Sequence, residues 1–196
     1  MKKSWLWALL INVALAQASI YVMRPMITYR AIENGASGFE IGLIASIYAL
    51  LPLIVAVPMG RWVGRLGELP LLVVGSLAFI ALGISFAFLN DVIAIAIATA
   101  VAGVAHLANV AASQAMVASR SPVELQDHNF GYFSFSTSLG HTLGPIVGGF
   151  IAGSSGVLPE SSTSAFVFAA ILAALSLIPF LLYRGLHEVK SKAERE

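Results

Sequence analysis

The chain has 196 residues, of which 58% are hydrophobic and only 11% are charged, and its net charge is +1. A soluble globular protein is about 25% charged, so this chain has too few polar side chains to cover a water-soluble globule. The near-neutral charge gives no indication of a nucleic-acid partner. The lack of cysteine excludes disulfides, thiolate metal sites and cysteine nucleophiles. The composition predicts an integral membrane protein without a cofactor.

Six apolar segments follow one another along the chain, each near the roughly 20 residues that a helix needs to cross a bilayer. Alternating strand patterns are absent, which argues against a transmembrane barrel. We therefore expect an all-α membrane protein, a six-transmembrane-helix bundle over residues 1–184, with a charged cytoplasmic tail over 185–196. The segments lie at about 5–29, 39–60, 70–89, 91–118, 129–153 and 164–183.

Lysine and arginine concentrate on one side of this arrangement, and Arg30 is the clear exception. Because positive loops stay inside, the asymmetry predicts that both termini are cytoplasmic. The first segment also has signal-peptide features, since Ala16-Gln17-Ala18 has the form of a cleavage site. Its apolar run continues to Val22 and is long enough to span, which favours an uncleaved first helix.

The fifth segment is unusual because glycine recurs inside an uncharged apolar stretch. In lipid, helices associate through close backbone contact at small residues. A helix here would place a nearly bare stripe on one face, and Pro145 predicts a kink because it removes a backbone donor. By periodicity alone the segment is a helix-packing face. The stripe consists of Ser136, Gly140, Gly144, Gly148 and Ala152.

The identities of the residues in this segment are more specific than their helical spacing. All six specified positions match the fifth-helix "antiporter" motif of the major facilitator superfamily, and the motif lies in the fifth of six segments, as it does in that family. The chain therefore resembles a member of this superfamily. The matching residues are Gly131, Gly140, Gly144, Pro145, Gly148 and Gly149.

Two further family motifs are only partly present. The loop between the second and third segments matches a family loop at Gly60, Arg65 and Gly67, but Gly64 stands where the family has an acid. In the family that acid takes part in a charge relay that latches the cytoplasmic side, and this chain lacks the acid at that position. On the fourth segment, Thr99 stands where the family has an arginine.

The resemblance covers the whole chain but only the N-terminal six-helix half of the family's usual twelve helices. It implies a secondary transporter of the cell (inner) membrane that moves a small organic solute or drug by alternating access, and the antiporter motif favours efflux. The implied partners are the substrate, the lipid bilayer and a C-terminal six-helix half or a second copy. We expect the glycine stripe to face that other half.

Two alternatives belong to other functional classes. The missing half suggests a non-transporting assembly subunit. The sequences Gly35–Gly38 and His141–Gly144 echo rhomboid intramembrane serine proteases. Ser37, however, falls in a loop, and the serine and histidine lie in the wrong segments for a protease whose groups must meet within hydrogen-bond reach.

Ionisable side chains inside a bilayer are costly and point to function. Arg24, late in the first segment, could bind an anionic substrate group or snorkel to the interface. No acidic residue lies deep in any segment, so His106 and His141 are the candidate proton sites of this half, since histidine titrates near neutrality. Their alternative role is a neutral hydrogen bond between helices.

Two polar stripes accompany these residues. His106, Asn109 and Ser113 share one helical face of the fourth segment, and Gln17 and Tyr21 are one turn apart on the first. Each stripe could line a substrate path or form interhelical hydrogen bonds. We expect no catalytic residues and no metal ligands.

Overall fold

The computed structural model describes residues 4–154 and 158–193, and these residues form six long α-helices and one short 3₁₀ turn. Each predicted segment coincides with one helix to within a few residues. The last helix continues past the predicted start of the tail at 185. The helices are α1 (Ser4–Glu33), α2 (Gly38–Leu66), α3 (Glu68–Phe88), α4 (Val92–Arg120), α5 (Gln126–Ser154) and α6 (Leu158–Ala193), with the turn at Val123–Leu125.

Within the described residues, 5 helices are long and apolar enough to cross a membrane: α1, α2, α3, α4 and the Ser162–Leu182 part of α6. Helix α5 is not among them, because its glycine, serine and threonine residues lower its hydropathy. The all-α membrane class is confirmed. That α5 also spans the membrane, and that both termini are cytoplasmic, stay predictions.

Local sequence signals set the joints between helices. Ser37 caps α2: its hydroxyl accepts from the Glu40 amide at 3.3 Å, and the Glu40 carboxylate accepts from the Ser37 amide at 2.7 Å. Asp91 caps α4 by accepting from the Ala94 amide at 2.8 Å. Gly67 alone joins α2 to α3 with φ +83°, a conformation that glycine adopts without strain. Such short joints force consecutive helices to run antiparallel.

The buried apolar residues form two clusters, one toward each end of the bundle. One cluster joins the start of α1 to the start of α3 and the end of α4, as with Leu9, Leu72 and Met116. The other joins the end of α1 to the end of α3 and the start of α4, through residues such as Met23 and Phe86. This pairing confirms the up-and-down order of the helices.

Polar side chains lie between the two clusters and connect α1 to its neighbours. The Asn12 amide donates to the Ser176 carbonyl oxygen at 2.8 Å, and the Ser176 hydroxyl lies 3.1 Å from that of Ser76. The Ser19 hydroxyl donates to the Ala169 carbonyl oxygen at 2.7 Å. Apolar side chains gain little from meeting each other in lipid, so such hydrogen bonds help to fix α1 against α3 and α6.

The far end of α1 carries a buried cation. Arg30, expected as an outer-side positive residue, is only 6% exposed. Its Nε lies 3.6 Å from the Glu33 carboxylate, and its guanidinium donates to the Thr163 hydroxyl. Arg30 therefore ties the end of α1 to the start of α6.

The glycine stripe of α5 packs against α1. A Cβ at Gly140 would lie 2.6 Å from the Gln17 Cβ and 2.7 Å from the Ala14 carbonyl oxygen, and one at Gly144 would lie 2.8 Å from the Ala18 carbonyl oxygen. The expectation that the stripe faces another half is therefore wrong, because α1 of the same unit fills it. Periodicity identifies a packing face but not its partner.

The α1–α5 contact predicts different outcomes for two glycines of the same helix. Gly140→Ala places a methyl group against the α1 backbone, and we expect it to destabilise the protein by about 1–3 kcal/mol. Gly149→Ala is the matched control, because nothing lies within 4 Å of its Cβ position. Thermal unfolding of both variants in one detergent would measure the difference, and equal melting temperatures would contradict the assigned contact.

Candidate functional site

Four helices, α1, α2, α4 and α5, line an open cavity of about 390 Å³ in the half of the bundle where α1 ends. Its volume falls in the range of about 300–1,000 Å³ that is typical of small-molecule sites. Its wall combines tyrosine rings, a guanidinium and threonine hydroxyls. The lining residues are Tyr21, Arg24, Pro25, Ile27, Thr28, Ile44, Ala45, Tyr48, Thr99 and Pro145.

A chain of hydrogen bonds next to the cavity crosses the same four helices and centres on Gln17. The side-chain oxygen of Gln17 lies 3.0 Å from Nε2 of His106 and 3.2 Å from Nε2 of His141. Nδ1 of His106 lies 2.7 Å from the Tyr48 hydroxyl. The structure thus brings together two of the predicted proton sites and one residue of the predicted α1 stripe.

The network defines the proton positions of neutral His106. An amide oxygen only accepts, so Nε2 of both histidines donates to Gln17. Neutral His106 then carries its single proton on Nε2, and its Nδ1 accepts from the Tyr48 hydroxyl. A second proton on His106 would have to bind Nδ1 and turn that hydroxyl from donor to acceptor.

Aromatic rings hold a cation at the cavity wall. The Tyr21 ring stacks on His141, with centroids 3.9 Å apart and planes 22° apart. The guanidinium carbon of Arg24 lies 5.2 Å from the Tyr21 centroid and 4.9 Å from the Tyr48 centroid. Both distances suit cation–π attraction. Among the side chains that the structure describes, no carboxylate lies within 4.0 Å of Arg24.

Three ring residues of this cluster, Tyr21, Tyr48 and His141, are each followed by proline four residues later. A helical N–H bonds the carbonyl four residues earlier, so proline leaves these three carbonyl groups without a helical donor. The Tyr48 carbonyl packs against Gly103 of α4, where any Cβ would collide with it. The i+4 spacing was visible in the sequence and was missed. The prolines are Pro25, Pro52 and Pro145.

Asn109 and Ser113, predicted to line a substrate path, are buried away from the cavity. Ser113 donates to the Asn109 carbonyl oxygen of its own helix at 2.7 Å. A Cβ at Gly75 of α3 would lie 3.3 Å from the Asn109 Cβ. The contacts favour a helix-packing role for both residues, and their substrate role stays a prediction.

The loop motif between α2 and α3 has no acid at Gly64, the position of the family's acid, but has one at Glu68 in the first turn of α3. Gly60 and Arg65 are exposed. Glu68, the first residue of α3, accepts from the Ser119 hydroxyl at 2.6 Å and lies 3.9 Å from the Arg120 guanidinium. An acid at a helix N-terminus also suits the helix dipole. Glu68 therefore links α3 to the end of α4, a contact that sequence reasoning missed.

Comparison with known proteins extends these observations. Residues 9–196 match the sequence model of the Major Facilitator Superfamily. Multidrug resistance protein 1 of Bacillus subtilis (strain 168) is 30% identical over 177 residues, which are 90% of this chain and 46% of that protein. Quinolone resistance protein NorA of Staphylococcus aureus (strain N315) is 25% identical over 173 residues, 88% of this chain and 43% of that protein.

The chain thus spans about half the length of the curated relatives it matches. The family match itself extends over most of the chain and agrees with the helical fold and its apolar spans. This protein belongs to the Major Facilitator Superfamily and is a multi-pass protein of the cell membrane.

Proposed function

We propose that these residues form the N-terminal six-helix half of a secondary transporter that exports small organic solutes, drugs included, by alternating access. The observation that carries the proposal is the cavity walled by Tyr21, Arg24 and Tyr48 where four helices of a facilitator-superfamily bundle meet. The names of two relatives, which refer to multidrug and quinolone resistance, support export as the direction.

Alternating access requires one part of the bundle to move against another. Helix α1 is the most deeply packed, with 67% of its apolar window buried, whereas α2 has 6% buried. In α2 only Ile44 and Met59 are buried, and its packing is mainly against α4. We infer that α2 shifts against the rest of the bundle, which changes access to the cavity between α1 and α2.

The other half of the transporter is part of this proposal. The exposed face of α2 carries Leu53, Ile54 and Val57, each more than 60% exposed. A C-terminal six-helix half, or a second copy, would cover this face and close the substrate path. Ser37, the serine of the protease alternative, caps α2 and bonds to Glu40. No contact among the described residues therefore supports a protease.

We further propose that His106 and His141 couple transport to protons in this half. They share one acceptor, Gln17, so protonation of either histidine changes the hydrogen bonds that join α1, α4 and α5. Positive charge on one histidine would also repel the other and the nearby Arg24. A proton would therefore change the balance between two arrangements of these helices.

Export is tested in bacteria that lack their own drug exporters. Cells that produce the complete reading frame containing these residues should accumulate a quinolone severalfold less than empty-vector cells. Gly144→Leu is the inactive control, because its side chain would collide with the Ala18 backbone. Equal accumulation in producing and empty-vector cells, with the protein verified in the membrane, would favour the non-transporting subunit.

Proton coupling is tested in proteoliposomes with an imposed pH gradient. The double variant His106→Ala, His141→Ala should lose gradient-driven accumulation, because the proposed proton sites of this half are then missing. Downhill exchange of solute without a gradient should persist, which separates coupling from misfolding. His128→Ala, at an exposed position of α5, is the control. Undiminished gradient-driven transport in the double variant would refute histidine coupling.

The prolines that follow Tyr21 and His141 by four residues are expected to lower stability and to speed transport. Pro25→Ala and Pro145→Ala restore a helical hydrogen bond, so each should raise the melting temperature and slow transport. Pro179→Ala in α6 restores a bond away from the cavity and should raise stability without slowing transport. Initial transport rates measured beside thermal unfolding test this pairing. Faster transport in Pro145→Ala would contradict it.

A further inference from the structure

Arg24 is a cation without a counter-ion in the described part of the chain. Its guanidinium borders the cavity and meets two tyrosine rings, and no carboxylate lies within 4.0 Å of it among the described side chains. Arg24 lies within an apolar candidate span, and a charged side chain in a span is costly unless it faces a water-filled path or an anion. The position therefore favours an anionic ligand group.

The direction of the Arg24 side chain argues against snorkelling. Tyr21 lies three residues earlier on α1, so a guanidinium over the Tyr21 ring has turned back toward the middle of the helix. The guanidinium also lies over the ring of Tyr48, whose hydroxyl is hydrogen-bonded to His106. The guanidinium thus lies between α1 and α2 on the cavity wall, where Arg24 is exposed, and its remaining N–H groups are available to the cavity.

The rest of the cavity wall indicates what the anion is attached to. Beside the tyrosine rings, Pro25, Ile44 and Pro145 supply apolar surface, and Thr28 supplies a hydroxyl. The Thr99 hydroxyl donates to the Ile95 carbonyl oxygen of its own helix at 2.7 Å. Arg24 lies over the Tyr21 and Tyr48 rings, and Tyr21 also stacks on His141, so the apolar side chains are the surface left for a flat ring. A guanidinium forms paired hydrogen bonds with a carboxylate.

We propose that Arg24 binds the carboxylate of a planar aromatic anion, whose ring lies against Pro25, Ile44 and Pro145. This inference rests on the proposed transport function, of which it names the substrate class. A cationic aromatic solute binds this half poorly, because Arg24 already occupies the tyrosine faces and repels it.

The test uses three probes that share one ring and differ in charge: 2-naphthoate, 2-naphthylmethanol and 2-naphthylmethylammonium. Calorimetry on the product of the complete reading frame in lipid nanodiscs should show naphthoate binding about tenfold or more tighter than the neutral alcohol, and the ammonium weakest. In Arg24→Gln the preference should vanish, and Arg24→Lys should keep only part of it. Arg61→Gln, at an exposed position of α2, is the control.

Several results would overturn the site. Equal binding of the three probes would do so, and so would an unchanged preference in Arg24→Gln. Absence of naphthoate binding, together with a lower melting temperature of Arg24→Gln, would also do so, because it would indicate that Arg24 pairs with an acidic residue elsewhere in the protein. The quinolone accumulation assay separates this failure from failure of the transport proposal. If quinolones are exported but naphthoate is not preferred, the site is refuted and the transport proposal is not. If naphthoate binds but no solute is exported, the transport proposal is refuted, and with it the idea that such anions are substrates.

Discussion

The direct contact between the backbones of α1 and α5 is the constraint on which the site depends. Gly140 and Gly144 leave α5 so bare that the backbone and Cβ atoms of α1 occupy the space of missing side chains. This approach brings His141 to Gln17 and stacks it on Tyr21. A larger residue at either glycine would separate the helices by more than a hydrogen bond can bridge. The glycines thus affect the polar network only by setting the distance between α1 and α5.

The polar network in turn explains why α1 lies in the centre of the bundle. One side of α1 bonds to α6 through Asn12 and Ser19, and another presents Gln17 to both histidines. In lipid, apolar side chains do not distinguish one helix neighbour from another, so these few hydrogen bonds and the glycine contact select the arrangement. The two apolar clusters then fill the space on either side of that polar layer.

Sequence reasoning predicted those features that depend on one helix at a time. Apolar length located the helices, and the cost of buried polar groups selected Gln17, His106 and His141, which the structure brings together. It could not predict which helix meets which, because a periodic stripe carries no information about its partner. The glycine stripe was therefore assigned to the wrong neighbour, and the contact of Arg30 with Thr163, distant in sequence, was not predicted.

Rigid and deformable elements occur together at the site, and under the proposed transport cycle each has a separate task. The glycine contact fixes α5 to α1 over several turns, so these helices keep His141 and Gln17 together while the bundle moves. The prolines after Tyr21, Tyr48 and His141 remove one backbone hydrogen bond from each of three helices at the level of the cavity. Bending is easiest where a hydrogen bond is already missing. A bend there would reorient the rings and Arg24 while leaving both apolar clusters packed, so access to the cavity changes and the bundle persists.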